Sequence, residues 1–377
     1  MPSLYRADQV GSLLRPPALL ETRAAHTAGQ IDLETLRAAE DRAILDALAL
    51  QRDVGIDVYT DGELRRSSWQ SDLAEAVEGF VPEHITRQWR GPGGGAEASR
   101  ALVAGARLRQ TRRLTGHESG FLRAHSPGPF KITIPSPSVF ALASFRSGIT
   151  DRFYPTRADL LADLVPIVRE EIRALIAEGV PYIQLDAPQY TYFGDEQVRA
   201  QWQREGLDPD AALQQVIAGD RACVEGLGQE GVTTQSPTAA QRGPTLALHL
   251  CRGNNRSRWV AEGGYDRIAE QLFSELPVDR FLLEYDSPRA GSFEPLRFVP
   301  AGKMVVLGLV TTKEPGLESG DELRRRIDEA ARYVPLDRLA LSPQCGFASV
   351  EQGNLLTPDD QRRKLERIVE TARQVWG

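Results

Sequence analysis

Two hydrophobic patterns alternate along this chain. Short runs of apolar, often β-branched residues are followed by longer stretches in which apolar residues return every three or four positions. Such an alternation of strands and helices is typical of βαβ units around a parallel sheet. The candidate strands are residues 7–13, 56–60, 130–134, 182–185, 246–250, 281–285, 304–310 and 339–342. Eight strands predict an α/β fold, a (β/α)8 TIM barrel that spans residues 1–377 as a single domain.

The helical pattern is clearest in three segments. Residues 157–179 place apolar side chains at helical spacing and end at Gly179, which suits a C-terminal cap. Residues 322–334 repeat the pattern. The last helix begins at Thr357-Pro358-Asp359-Asp360, an N-cap candidate followed by proline at the first helical position.

Two stretches fit no strand–helix unit. Residues 81–122 contain Gly91-Pro92-Gly93-Gly94-Gly95 and many arginines, and we interpret them as an insertion on the barrel, either a mobile lid or a hairpin. The glycine cluster lacks the GK[ST] ending of a P-loop, so a flexible loop is the better interpretation. Residues 203–241 predict a helix over 211–227 followed by a loop.

Composition narrows the class of protein. The chain has 377 residues and a net charge of −7, which argues against a nucleic-acid partner because phosphate binding needs a basic face. No apolar run approaches the roughly 20 residues that cross a bilayer, and residues 1–6 lack the apolar core of a secretory signal. We therefore expect a cytoplasmic protein with no membrane partner, for which a homo-oligomer is allowed.

The three cysteines are too few for a disulfide framework and suggest ligands or buried thiols. Cys223 lies in the helical pattern Arg221-Ala222-Cys223-Val224, and we interpret it as a small helix-packing residue. The other two cysteines lie near predicted strand ends.

Unusual polar residues follow most of the candidate strands. They are Gly11-Ser12, Asp61-Gly62-Glu63, Asp186, His249 with Cys251, Glu284 and Cys345. Barrel enzymes build their active sites at the carboxyl ends of the strands. A series spread over six strands therefore predicts one site at that end of the barrel.

His249-Leu250-Cys251 is the sharpest element of this series. Residues at i and i+2 of a strand point to the same face, so both side chains can reach one ion. Imidazole and thiolate together favour zinc over magnesium or calcium. Glu284 and Cys345 lie at later strand ends and complete a set of four ligands. Taken alone, the histidine and cysteine would also suit a core histidine beside a buried cysteine.

These segments resemble the C-terminal catalytic half of the cobalamin-independent methionine synthases, and more closely the short, single-domain bacterial members of that superfamily. The matching segments are Val10-Gly11-Ser12, Asp61-Gly62-Glu63, Lys131-Ile132-Thr133-Ile134-Pro135, Ile183-Gln184-Leu185-Asp186, His249-Leu250-Cys251-Arg252-Gly253-Asn254, Phe281-Leu282-Leu283-Glu284-Tyr285 and Ser342-Pro343-Gln344-Cys345-Gly346-Phe347. They occur in order along most of the chain.

The resemblance implies a methyltransferase that uses Zn²⁺ to activate the thiol of homocysteine in methionine biosynthesis. The metal ligands would be His249, Cys251, Glu284 and Cys345. The substrate ammonium would lie against Glu63 and Asp186, and its carboxylate against the main chain of Gly11 and Ser12. The partners are then a small-molecule thiol and a methyl donor.

One departure concerns the proton donor. In the family a histidine follows strand seven and protonates the leaving group, whereas this chain reads Val310-Thr311-Thr312-Lys313-Glu314-Pro315. Lys313 or a water would take that catalytic role. The aromatic residue on which a folate ring stacks has no clear counterpart, so the donor is a methylated folate or another methyl carrier.

Three other functions fit parts of this pattern. Another zinc-dependent thiol alkyltransferase, such as an epoxyalkane:coenzyme M transferase, uses a thiol without an ammonium, which Glu63 and Asp186 disfavour. A structural zinc site usually takes its ligands from short loops, whereas these lie at three strand ends. A zinc hydrolase needs a stronger Lewis acid than zinc bound by two thiolates.

Overall fold

A computed structural model describes residues 5–227 and 243–377 of the chain. In chain order the strands are β1 Val77–Trp89, β2 Gly95–Gln110, β3 Lys131–Pro135, β4 Tyr182–Asp186, β5 Thr245–Leu250, β6 Arg280–Glu284, β7 Met304–Val310 and β8 Leu339–Pro343. The α-helices are α1 Pro17–Thr27, α2 Leu33–Val54, α3 Ser71–Ala76, α4 Gly116–His125, α5 Pro137–Ala143, α6 Arg157–Ala177, α7 Gln189–Tyr192, α8 Glu196–Arg204, α9 Pro209–Val224, α10 Ala269–Glu275, α11 Gly320–Ala330 and α12 Pro358–Trp376.

Strands β3 to β8 form one parallel sheet in which each strand pairs with the next along the chain. Every residue of these six strands is buried. Burial on both faces is typical of a parallel sheet covered by helices. The six strands agree with the predicted ones to within one residue at each end.

The first two predicted strands, 7–13 and 56–60, form single bridges instead of strands. Ala7 pairs in parallel with Leu341 of β8, and Tyr59 pairs in parallel with Phe130 beside β3. The Asp57 N–H donates to the Ala7 carbonyl and joins the two segments. The eight segments therefore follow one another around a ring, which is the predicted (β/α)8 barrel with two of its strands reduced.

A side chain explains why the two segments are not joined to each other by a ladder of main-chain hydrogen bonds. One carboxylate oxygen of Asp57 accepts the N–H groups of Arg6 and Ala7 at 2.7 and 2.9 Å. A carboxylate that takes these donors removes them from a main-chain ladder. The predicted strands are thus present in position and direction but not in length.

The barrel interior is filled by a small apolar cluster that comes from the strands and the two bridge segments. It consists of Tyr5, Val58, Tyr182, Ala247, Leu282, Met304, Val306 and Ala340. Beside it Lys131 and Asp8 form a fully buried ion pair at 2.6 Å. The larger core lies between the outer faces of the strands and the helices. The interior is therefore packed, and the open space lies at one end of the barrel.

The helix ends follow the capping chemistry of the sequence. Thr156 and Asp159 form a capping box at the start of α6, and Gly179 follows its end with a φ of 78°. A second capping box, between Thr357 and Asp360, begins α12. Helix α11 differs from the predicted range 322–334, because Ser319 caps its start and the chain leaves the helix after residue 330, before Pro335.

The insertion is a hairpin, one of the two forms considered. Strands β1 and β2 pair antiparallel, so the insertion occupies residues 77–110 and is followed by α4 instead of extending through 81–122. At its tip, Arg90 exchanges two main-chain hydrogen bonds with Trp259. Gly91 has a φ of 92°, and a Cβ there would lie 2.2 Å from the Trp259 ring. The hairpin tip therefore packs against the barrel loop that contains Trp259.

The region 203–241 contains the end of α8 and all of α9. The loop predicted for residues 228–241 lies outside the described residues. Among the helices that the structure describes, none is long and apolar enough to cross a membrane.

Candidate metal centre and substrate cavity

Three predicted ligands meet at one end of the barrel. His249 is the second-last residue of β5, Cys251 directly follows that strand, and Cys345 follows β8. The two sulfur atoms are 3.6 Å apart, and one ligand atom from each of the three residues lies within 4.8 Å of the others. The predicted convergence of these residues is therefore present in the fold.

The chemistry of this group fits a zinc ion. All three side chains are buried, and both ring nitrogens of His249 have no hydrogen-bond partner among the described residues. Buried polar atoms are almost always paired, so two orphaned nitrogens indicate a missing ligand. One imidazole and two cysteine sulfurs are donors that zinc prefers.

The pKa values of the two cysteines are shifted in opposite directions. The hydrogen bond with Cys251, helped by His249, holds the pKa of Cys345 well below its usual range. The same contact and burial raise the pKa of the Cys251 thiol well above its usual range. A cation bound at both sulfur atoms would favour the charged thiolate form of each cysteine.

Glu284 lies at the end of β6, fully buried, and is not part of the group of three ligand atoms that lie within 4.8 Å of one another. Its Oε1 accepts the Nε–H of Arg289 at 3.0 Å, and its Oε2 accepts the main-chain N–H of Arg252 at 2.7 Å. Burial opposes the charge, yet the cations Arg252, Lys313 and Arg289 keep the pKa of Glu284 below its usual range. The fourth predicted ligand is therefore nearby and engaged elsewhere.

A cavity of ≈ 470 Å³ opens over this centre. His249, Cys251 and Cys345 line it, and so do Glu63 and Asp186. The two acids and the three candidate ligands thus share one enclosed space, as the sequence predicts for a site at the strand ends.

Glu63 leaves one oxygen free in this cavity. The Thr133 hydroxyl donates to its Oε1 at 3.0 Å, whereas its Oε2 is buried and accepts no hydrogen bond from residues 5–227 or 243–377. Asp186 accepts a hydrogen bond from the Gln184 amide at 2.8 Å. Burial raises the pKa of Glu63, and burial raises that of Asp186 to about 7. Both acids would gain from a cationic ligand, because a cation favours the charged form.

A second group of acids lies behind Glu63. Burial and the nearby Glu118 raise the pKa of Asp61 to about 7. Asp72 and Glu118 lie close to His117 in a group that resembles a metal site in spacing. Arg66, however, contacts both carboxylates at 2.5 Å. A guanidinium already occupies the place that a metal ion would need.

Gly11 packs closely against the Glu63 side chain, and Ser12 follows it. A Cβ at Gly11 would lie 2.7 Å from Glu63 Oε1, so only glycine fits there without moving the acid. Ser12 lines the cavity, and its carbonyl accepts the Phe347 N–H at 2.9 Å. Gly11 itself does not line the cavity.

Lys313 and Cys223 occupy different surroundings. The Lys313 ammonium donates to the Gly253 carbonyl at 3.0 Å and to the Asn254 side chain at 3.3 Å. Those two residues line the cavity, whereas Lys313 lies behind them. Cys223 is buried in the apolar core on α9, which confirms its interpretation as a packing residue.

The far wall of the cavity was not predicted. It comes from the hairpin, residues 85–90, and from α7 and α8. Trp89 Nε1 and Gln189 Oε1 are buried there without a hydrogen-bond partner in the part of the chain that the structure describes. The arginine-rich insertion was visible in the sequence, but no local pattern tells which surface a hairpin covers.

Comparison with known proteins shows the family of this chain. Residues 6–374 match the family model described as the catalytic domain of cobalamin-independent synthase. The chain belongs to this family. The uncharacterized proteins YxjH and YxjG of Bacillus subtilis (strain 168) are both 37% identical to it, over 99% of this chain and 95% of each relative. Methionine synthase of Saccharolobus solfataricus is 24% identical over 97% of this chain and 93% of its own length.

Solved structures agree with this fold. A Listeria monocytogenes protein assigned as a vitamin-B12-independent methionine synthase is 26% identical, with a TM-score of 0.71 over 99% of this chain and 98% of its own. A B12-independent methionine synthase from Shewanella sp. W3-18-1 shares the fold at 19% identity and a TM-score of 0.72, with the same coverage. Family membership and these relatives identify the protein as a methyltransferase of the methionine synthase type.

Proposed function

We propose that this protein is a zinc-dependent methyltransferase that methylates the thiol of homocysteine to give methionine. The observation that carries the proposal is the shared cavity, in which His249, Cys251 and Cys345 face the same space as Glu63 and Asp186. A soft metal site beside two acids suits a ligand that carries both a thiol and an ammonium group.

The metal would be held by His249, Cys251 and Cys345, with Glu284 as the fourth predicted ligand. Zinc supplies a Lewis acid that lets a thiol, with an ordinary pKa of about 8.5, react as a thiolate near neutral pH. A thiol substrate and free cysteine ligands suit the reducing cytoplasm.

Glu63 and Asp186 would bind the ammonium group of the substrate. The free Oε2 of Glu63 is the acceptor best placed for this role, since Thr133 occupies only the other oxygen. The main chain of Gly11 and Ser12 would receive the substrate carboxylate. Together these contacts would fix the thiol at the end of the cavity that holds the three ligands.

The methyl donor would approach from the wall formed by the hairpin and α8. The new sulfur–carbon bond forms as the donor's bond to the methyl carbon breaks, and the leaving group then takes a proton. Lys313 is the proposed source of that proton, delivered past Gly253 and Asn254, which its ammonium contacts. A methylated folate or another methyl carrier serves as donor.

The test is methyl transfer by the purified zinc-loaded protein. Homocysteine, cysteine and coenzyme M are offered as thiols with methyltetrahydrofolate, its polyglutamate, methylcobalamin or a small methylated metabolite as donors. We expect methionine from homocysteine with at least one donor. Alkylation of coenzyme M but not of homocysteine would favour the alternative thiol alkyltransferase and contradict the proposal.

A further inference from the structure

The position of Glu284 has a specific cause. Its two carboxylate oxygens are each taken by an N–H donor, one from the Arg289 guanidinium and one from the Arg252 main chain. Hydrogen bonds to a charged donor are roughly twice as strong as neutral ones. The carboxylate is therefore held by these two donors, outside the group of His249, Cys251 and Cys345 whose ligand atoms lie within 4.8 Å of one another.

Arg289 is itself fixed from two further sides. Its Nη2 donates to both carboxylate oxygens of Asp286 at 2.7 Å. Its guanidinium lies over the Trp259 ring, 4.6 Å from the ring centre. The same Trp259 exchanges main-chain hydrogen bonds with Arg90 at the hairpin tip. A cation anchored this firmly can hold Glu284 without losing much conformational freedom.

We propose that Arg289 is a positioning residue that draws Glu284 away from the metal and so keeps one metal position open for the thiol. The inference rests on the zinc site of the proposed function. A site with four protein ligands is closed, whereas three protein ligands leave the open position that a catalytic metal needs. Arg289 sets the balance between these two states through its contact with Glu284.

The consequence of removing Arg289 follows from burial. Glu284 is fully buried, so without the Arg289 guanidinium its carboxylate would keep the Arg252 main-chain N–H and the longer-range charges of Arg252 and Lys313, but no ion pair among the described residues. A buried carboxylate in that position is costly, and the metal becomes its best remaining partner. The loss of Arg289 should therefore tighten metal binding and weaken thiol binding.

The experiment compares Arg289→Met, Glu284→Gln and the double variant. Zinc affinity is measured by competition with a chelator, and homocysteine affinity by titration of the zinc-loaded proteins. We expect Arg289→Met to bind zinc about 10- to 100-fold more tightly, the range that metal-site neighbours usually control. Homocysteine should bind more weakly to the same variant, and the zinc effect should vanish in the Glu284→Gln background.

Two controls separate this effect from charge and from misfolding. Arg326→Met also removes a cation near this strand end, but Arg326 donates to the Tyr285 carbonyl and not to the Glu284 carboxylate, so its zinc affinity should stay that of the wild type. Arg289→Lys keeps the charge on a shorter reach, and its effect should lie between those of the wild type and Arg289→Met.

Unchanged or weaker zinc binding by a folded Arg289→Met, or an equal change in the Glu284→Gln background, would overturn the role of Arg289. A wild-type protein that binds one zinc but never methylates homocysteine would refute the proposed function alone, and the affinity comparison would still decide the role of Arg289. A wild-type protein without zinc would refute both.

Discussion

Cys345 Sγ lies 3.6 Å from Cys251 Sγ, although 94 residues separate them in the chain. Each cysteine follows a different strand, β8 and β5, and the contact arises because parallel strands of a barrel end at the same rim. The site therefore depends on the closed sheet and not on a local motif. Replacement of either cysteine should impair metal binding by the whole group.

The first prediction concerns the two sulfur ligands. Cys251→Ser and Cys345→Ser should each lose bound zinc and activity together, because a hydroxyl is a poor replacement for a thiolate on zinc. Zinc content per chain and methionine formation are measured on the same samples. Cys223→Ala is the matched control, since that cysteine packs in the core on α9. The Cys223→Ala protein should keep its zinc. Full zinc content with full turnover in either serine variant would remove that residue from the ligand set.

The second prediction concerns the ammonium site. Glu63→Gln should keep its zinc and raise the KM for homocysteine by about 10- to 100-fold, since a hydrogen bond to a charged group contributes about 1.5–3 kcal/mol. The analogue 4-mercaptobutyrate, which lacks the amino group, is the matched substrate. Its KM should be nearly the same for the wild type and the variant, and an equal rise for both thiols would mean that Glu63 does not bind the ammonium.

The third prediction uses the narrow space at Gly11. Gly11→Ala places a Cβ 2.7 Å from Glu63 Oε1, so the acid must shift or the backbone must yield. We expect a loss of about 1–3 kcal/mol in the free energy of unfolding, as overpacking usually causes, with a raised KM for homocysteine. Gly120→Ala on α4 is the control, because its added Cβ would meet no atom of the described residues within 4 Å, and it should stabilise the fold by up to about 1 kcal/mol. Equal behaviour of the two variants would contradict the tight contact.

The fourth prediction concerns pH and Asp61. Burial raises the pKa of Asp61 to about 7 in the folded chain, against about 3.9 when unfolded. Between these values the folded chain binds a proton that the unfolded chain lacks, so this contribution to stability is lost as the pH rises towards 7.

Asp61→Asn should therefore remove part of the pH dependence. Between pH 5 and pH 8 the wild type should lose about 3 kcal/mol more of its free energy of unfolding than the variant does, because only the wild type loses the contribution of Asp61. Urea unfolding at both pH values measures this difference, and Asp46→Asn, at an exposed position of α2, controls for the loss of one charge. The same difference at both pH values would show that Asp61 is ionised throughout.

The sequence predicted most of the sheet because each central strand is a short apolar run with no competing side chain. It failed for the first two strands, which form only single bridges, and between them Asp57 takes the N–H groups of Arg6 and Ala7 that a ladder would need. A side-chain interaction between segments 50 residues apart leaves no periodic signal.

The candidate site also has features that the sequence predicts and features that it does not. His249, Cys251 and Cys345 could be predicted, because residue type and position at a strand end together specify a soft metal site. The orientation of Glu284 could not, since it depends on Arg289 and on the tryptophan that supports it. The cavity wall supplied by the hairpin is likewise a matter of tertiary packing.

X-ray absorption at the zinc edge of the purified wild-type protein tests the central claim most directly. The account predicts one zinc per chain with two sulfur neighbours at about 2.3 Å and the remaining nitrogen or oxygen neighbours at about 2.0–2.1 Å. A third sulfur neighbour should appear when homocysteine is added. A zinc ion with no sulfur neighbours, or a protein that binds no zinc, would contradict the assignment of His249, Cys251 and Cys345 as the metal centre.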